Sequence, residues 1–143
     1  MNEKNESYAY FVIAGGFDPV DVTARVGVTP SQAWAKGDLA ERTKQRRESS
    51  SWSLYSRLDR SATLESHVQD VLEQLDSNKA DFRALSVEYG GVMELVGYFY
   101  DYYPGLFFNR RTVEHLAEYA LSMDYDFYFW DKPEAPTPAE GGP

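Results

Sequence analysis

The chain contains no cysteine among its 143 residues. Disulfides, zinc–thiolate centres and thiol nucleophiles are therefore excluded, and the composition suits a reducing compartment. Long apolar runs are missing as well. No stretch approaches the roughly 18 residues of a membrane span. The opening MNEKNES lacks the apolar segment of a secretory signal. A cytoplasmic protein is expected. Histidine is scarce: His67 and His115 are alone, without the His-x-x-x-His spacing of zinc chemistry, and both read as solvated helix positions. No glycine-rich phosphate loop and no Gly-x-Ser-x-Gly elbow occurs; Gly15-Gly16 and Gly90-Gly91 read as turn pairs. Positive charge is short too, with 14 Lys and Arg against 23 Asp and Glu, a net charge of −9.

The charge is uneven. Residues 1–60 carry nine basic and eight acidic side chains; residues 61–143 carry five and fifteen. An acidic body repels nucleic acid and anionic membranes and attracts a basic partner. Aromatic residues are abundant at 15%, eleven of them tyrosine.

Ser7 to Gly16 (SYAYFVIAGG) reads as a strand closed by a turn. Asp18 then caps a short helix, with Pro19 at its first position, Asp21 in its first turn and Gly27 just past its end. Residues 41–51 hold no apolar side chain and read as a surface loop. Ser51 to Leu58 alternates as a second strand, with Trp52 and Leu54 on one face. Leu64, Val68, Val71, Leu72 and Leu75 form a helical stripe, capped by Ser61 or Thr63. A break at Ser77-Asn78 precedes a shorter helix carrying Phe82 and Leu85. A third strand runs from Gly91 towards Tyr102. Asn109 caps a helix whose stripe is Val113, Leu116, Ala117, Ala120 and Leu121. The closing DYDFYFWD, Asp124 to Asp131, is a fourth strand.

This order predicts one α+β domain over residues 7–131. The expected fold is a two-layer sandwich: a four-stranded, largely antiparallel sheet in ferredoxin-like order, with three to four helices on one face. Residues 1–6 and the Pro-rich tail 132–143 are expected to be disordered.

Phe17-Asp18-Pro19, Gly27-Val28-Thr29-Pro30, Lys36-Gly37-Asp38 and Trp52 follow one another in that order. With the late helix around Leu116 and a terminal strand holding Asp126 and Tyr128, this pattern resembles a bacterial family known as domain of unknown function 4279. The resemblance spans roughly residues 7–131. It implies a small free-standing bacterial protein and carries no activity, cofactor or catalytic residue with it.

On the terminal strand Asp124, Asp126, Tyr128 and Trp130 share one face; Tyr125, Phe127, Phe129 and Asp131 share the other, greasier one. Tyr98, Tyr100 and Tyr102 fall on one face of the third strand. If these strands are neighbours, Tyr98, Tyr100, Tyr102, Asp126, Tyr128 and Trp130 gather on the helix-free side of the sheet, with Tyr8 and Tyr10 beside them. Tyrosine and tryptophan offer large contact area with a polar tip. Such a face suits a protein partner or a second copy, unless loop 35–51 or the tail folds over it. Asp101, Asp124, Asp126 and Asp131 read as solvated strand-end acids; no catalytic residue, metal site or cofactor is expected. Arg110 and Arg111 oppose the helix dipole, so they either pair with Asp101 or Glu114 or hold an anion.

Three functional readings follow. The first is a non-catalytic protein-binding module for a basic partner, of the immunity or antidote kind. The second is a small-ligand binder or enzyme whose pocket uses Arg110, Arg111, Asp126 and Tyr128. The third is a single-stranded nucleic-acid binder using Lys44, Arg46, Arg47, Arg57 and Arg60 with Trp52 and Tyr55, which the acidic body opposes.

Overall fold

The computed structural model describes residues 4–100 and 102–130. The expected tail disorder and the roles of Asp101 and Asp131 lie outside these residues. Five strands and four α-helices follow in the order β1 (Glu6–Gly15), α1 (Pro19–Val26), β2 (Gln32–Trp34), β3 (Ser50–Tyr55), α2 (Leu64–Leu75), α3 (Lys79–Tyr89), β4 (Val92–Phe99), α4 (Arg110–Glu118) and β5 (Ser122–Phe129). A 3₁₀ turn, Asp76–Asn78, joins α2 to α3.

The strands form one open, mixed sheet in the order β2-β3-β1-β4-β5. This corrects the expected four-stranded, ferredoxin-like arrangement in two ways. β2 is a fifth strand, only three residues long, pairing Trp34 with Ser51. β5 runs parallel to β4, from Val92 beside Ser122 to Phe99 beside Phe129. The reason lies in the connection: a parallel neighbour needs a long crossover, and α4 supplies it. β1 is antiparallel to both β3 and β4.

Period-two alternation decides which side is buried. Ala9, Phe11 and Ile13 of β1, Trp52 and Leu54 of β3, and Met93, Leu95 and Phe99 of β4 point into one core. Val22 and Val26 of α1, the α2 stripe from Leu64 to Leu75, Phe82 and Leu85 of α3, and Leu116 of α4 close over them. All four helices thus lie on one face. Trp52 sits at the centre, edge-on to Phe11 and 5.8 Å from the Phe82 ring. Its Nε1–H donates to Thr23 Oγ1 at 3.0 Å.

Gly97 makes room in this layer. A Cβ there would stand 2.5 Å from Phe99 Cζ and 3.3 Å from Phe127 Cδ1. Only a bare backbone lets those two rings meet edge-to-face, 5.3 Å apart.

α1 has both ends written in sequence. The Asp18 carboxylate accepts the Val20 N–H at 3.0 Å, and Gly27 takes the left-handed conformation at φ 71°. Asp18→Ala is expected to cost about 1 kcal/mol, the usual worth of such a cap; urea denaturation reads it directly. Of the two candidate caps for α2, Thr63 is the one that accepts, from Ser66 N–H.

The α4 stripe differs from expectation. Its buried positions are Thr112, Leu116 and the following Tyr119, while Val113 is 51% exposed. The helix stops at Glu118, and Ala120 has φ 52°, so Ala120 and Leu121 do not continue its face. Thr112 tolerates burial because Gln69 donates to its hydroxyl and that hydroxyl donates to Glu65.

Candidate functional site

The other face of the sheet carries no helix among the described residues. Register places its side chains in rows across the strands. One row runs Tyr55, Tyr10, Glu94, Asp124; the next Tyr8, Val96, Asp126; the next Glu6, Tyr98, Tyr128. Tyr100 and Trp130 extend beyond the strand ends, with rings 5.1 Å apart.

Rings therefore gather in two stacks. Tyr10 and Tyr55 lie 4.4 Å apart and nearly parallel, with Tyr8 against both. Tyr98 stacks on Tyr128 at 5.1 Å and on Trp130 at 5.9 Å. Glu94, Asp124 and Asp126 stand beside the stacks, on the β4–β5 side of the first two rows. Burial pushes the Tyr8 and Tyr10 hydroxyls up to about 12, helped by Tyr98 at Tyr8 and by Tyr55 and Glu94 at Tyr10. Glu94 is the most perturbed acid. Burial, then the charges of Asp124 and Asp126, raise it to about 7. One of its oxygens, Oε1, is enclosed without a hydrogen-bond partner.

Two rings of this face already hold cations. The Arg60 guanidinium lies 4.5 Å from the Tyr8 ring and Arg47 lies 3.8 Å from Trp34. Loop 35–49 turns back on itself, with Leu39 bridged to Arg46. Arg47 of this loop lies on Trp34 at the β2 edge, far in register from the carboxylates.

The sequence-selected residues divide. Tyr98, Tyr100, Asp126, Tyr128 and Trp130 come together on the open face. Tyr102 does not: β4 ends at Phe99, and Tyr102 instead lines a cavity of about 530 Å³ with Lys4, Arg60, Thr63 and Phe107. Arg110 and Arg111 open α4 on the helical side of the sheet. Arg110 is paired loosely with Glu114, 3.9 Å away and strongly exposed. They share no pocket with Asp126 and Tyr128. Glu94 and Trp34 are not among the sequence-selected residues, and Tyr55 is selected only as a ring for nucleic acid, although the alternation against Trp52, Leu54, Met93 and Leu95 marks Tyr55 and Glu94 for this face.

Both histidines depart from the solvated reading. His67 is fully buried with Nδ1 2.7 Å from Ser56 Oγ, and burial holds it below its usual range. His115 Nε2 is 2.9 Å from Asp76 Oδ1. Trp52 is in the core, so it offers no stacking surface to a nucleic acid. Arg57 is engaged by Asp70 and Glu73.

Among the described residues no group of three or more His, Asp or Glu side chains is arranged to hold a metal ion. Likewise, no helix is long and apolar enough to cross a membrane. The family described as Domain of unknown function (DUF4279) matches residues 5–130, from the residue before β1 to the Trp130 ring of the open face. The chain belongs to this family. No curated protein and no solved structure matches it. The DUF4279 match covers every strand and helix described above, so the open face is part of the family's domain rather than an appendage to it.

Proposed function

We propose that this DUF4279 protein is a non-catalytic binding module whose open sheet face holds an arginine- or lysine-rich segment of another protein. The observation that carries the reading is the arrangement of two tyrosine-rich stacks around Glu94, Asp124 and Asp126 on a face without helices. Aromatic faces attract cations, guanidinium above all, and carboxylates beside them add charge-assisted hydrogen bonds. Arg60 on Tyr8 and Arg47 on Trp34 are internal examples of the contact a partner would make. A flat, ring-tiled surface suits a macromolecule better than a small ligand, which needs a concave pocket. Capture of a basic toxin by an immunity protein is one biological role with this chemistry.

The residue set of the small-ligand reading is not drawn together, because Arg110 and Arg111 are separated from Asp126 and Tyr128 by the sheet itself. An anionic nucleic acid would meet three carboxylates.

Titration with an arginine-rich peptide, followed by intrinsic fluorescence, tests the reading. The Tyr98→Ala/Trp130→Ala variant is expected to bind about tenfold more weakly, in line with loss of a ring anchor worth ~1–2 kcal/mol. Affinity should also fall with added salt. Undiminished binding by the double variant, with an unchanged circular-dichroism spectrum, removes the assignment to this face.

A further inference from the structure

The two edges of the sheet are protected very differently. β2 spans three residues, follows Pro30 and leads at once into the folded-back loop 35–49. Short, interrupted edges resist pairing with other chains. β5 is an eight-residue edge without proline or lysine, and its register with β4 runs unbroken. Ser122 N–H donates to Gly91 C=O and Trp130 N–H to Phe99 C=O, each at 3.0 Å. Backbone groups alternate in direction along a strand. Even-numbered residues of β5 thus face β4, and Met123, Tyr125, Phe127 and Phe129 aim their N–H and C=O outward. In keeping with this, the Tyr125 N–H turns to its own neighbour, the Asp124 carboxylate, at 2.9 Å.

We propose that two copies of this chain join β5 to β5, antiparallel about Phe127, into one continuous sheet. The sequence of β5 is self-complementary at that register. Phe127 faces Phe127 of the second copy, and Tyr125 faces Phe129. On the open side Asp126 faces Tyr128 and Asp124 faces Trp130, so each carboxylate meets an aromatic ring carrying a hydrogen-bond donor. Moving the centre to Asp126 sets Asp126 against Asp126. Moving it to Tyr125 sets Asp124 against Asp126. Like charges directly opposite one another destabilise a strand pair, whereas aromatic pairs stabilise it. Centring on Phe127 gives the longest overlap free of acid–acid pairs, and it satisfies the outward backbone groups of the odd residues reciprocally.

The edge offers apolar area to a second copy. Tyr103, Met123, Tyr125, Tyr128, Phe129 and Trp130, grouped at this edge, are between 44% and 62% exposed. At roughly 100 Å² each they supply roughly 600 Å², most of the ~800 Å² per partner of a stable interface before the strand backbone is added. A two-fold pairing of this kind closes on itself and stops at two copies, because the other edge among the described residues is the short β2.

Sedimentation equilibrium over a dilution series measures the assembly, and the absence of native cysteine makes the register testable. The wild type is expected to approach twice the 16.3 kDa chain mass. Tyr125→Lys is expected to return it to the single-chain mass with its circular-dichroism spectrum unchanged, since the replaced ring is 62% exposed, and to lose the concentration dependence of melting that a dimer confers. Asp126→Cys mixed with Tyr128→Cys is expected to form an oxidised cross-linked dimer. Neither variant alone should do so, because residues opposite one another lie within disulfide reach and residues two positions apart do not. A wild type of single-chain mass throughout, a dimer indifferent to Tyr125→Lys, or cross-linking of Asp126→Cys with itself would each overturn the proposal.

Discussion

Trp52→Ala is expected to cost about 3–5 kcal/mol, the usual loss on truncating a fully buried large aromatic. The side chain is wholly enclosed and is the largest of the buried ones. It bridges the two layers: Phe11 from the central strand lies on one side and Phe82 from α3 on another. Collapse into the space it leaves would require β3 and α3 to move together. A domain of ordinary stability, ~5–15 kcal/mol, would lose roughly a fifth of it or more, and the melting temperature would fall by roughly 10–20 °C. The Thr23 hydroxyl would keep a partner, since it also donates to Pro19 C=O at 3.2 Å, so the loss is mainly one of packing. Trp34→Ala is the control. Its ring is half-buried at the sheet edge and holds Arg47, a contact worth about 0.5–1 kcal/mol. Equal losses in the two variants would mean that Trp52 is not the keystone of the core.

What the sequence reveals depends on how local the cause is. The caps of α1 and α2 are legible because Asp18, Gly27 and Thr63 act within a few residues of themselves. The stripe of α2 is legible because twelve residues give the period room to show. α4 has nine, and its true inward face pairs Leu116 with Thr112, a polar residue buried by partners on α2. Hydropathy alone passes over such a residue in favour of Val113. The direction of β5 leaves no trace in alternation, which is the same for parallel and antiparallel neighbours; only the helix in the connection tells them apart. β2 is too short to alternate at all. His67 is comparable to Thr112: it sits on the core side of α2, where Ser56, just past β3, meets its Nδ1.

The open face shows the complementary case. The aromatic residues of β4 and β5 were identifiable from their parity before their neighbours were known. What parity could not supply was the third partner. β1 lies between β3 and β4, so Tyr8 and Tyr10 join Tyr55 on one side and approach the acids on the other. Glu94 acquires its unusual environment only through that order: Tyr10 on one flank, Asp124 on the other, Asp126 diagonally beyond. Tyr102 was lost to the face because a strand of eight residues ends three positions short of it.

Glu94→Gln is expected to stabilise the protein above neutral pH, with the opposite sign to the loss of an ordinary surface carboxylate. Burial and the neighbouring Asp124 and Asp126 raise the folded-state value from 4.5 to about 7. Below the unfolded value the carboxyl is protonated in both states and its contribution is fully present. Between the two values the unfolded chain gives up the proton while the folded chain keeps it, so stability falls as pH rises. Above about 7 the folded chain must hold a charge in an enclosed site, and the contribution is gone. After allowance for the solvent that still reaches this half-buried group, the loss is on the order of 1–2 kcal/mol across that window. The amide cannot ionise and should show none of it. The readout is the difference between wild-type and variant urea midpoints from pH 4 to 8, because Asp59, Asp81 and Glu118, held low by their partners, add a slope of the opposite sign to both proteins. That difference should open from about pH 4.5 in favour of the variant and be complete a little above 7; parallel curves would show that Glu94 titrates like a free carboxylate. The same ionisation bears on binding. Each Glu94 that loses its proton adds negative charge beside the ring stacks, so the wild type should hold an arginine-rich peptide more tightly as pH rises through 7, and Glu94→Gln should not. Both shifts together would place this acid for a partner rather than for the fold.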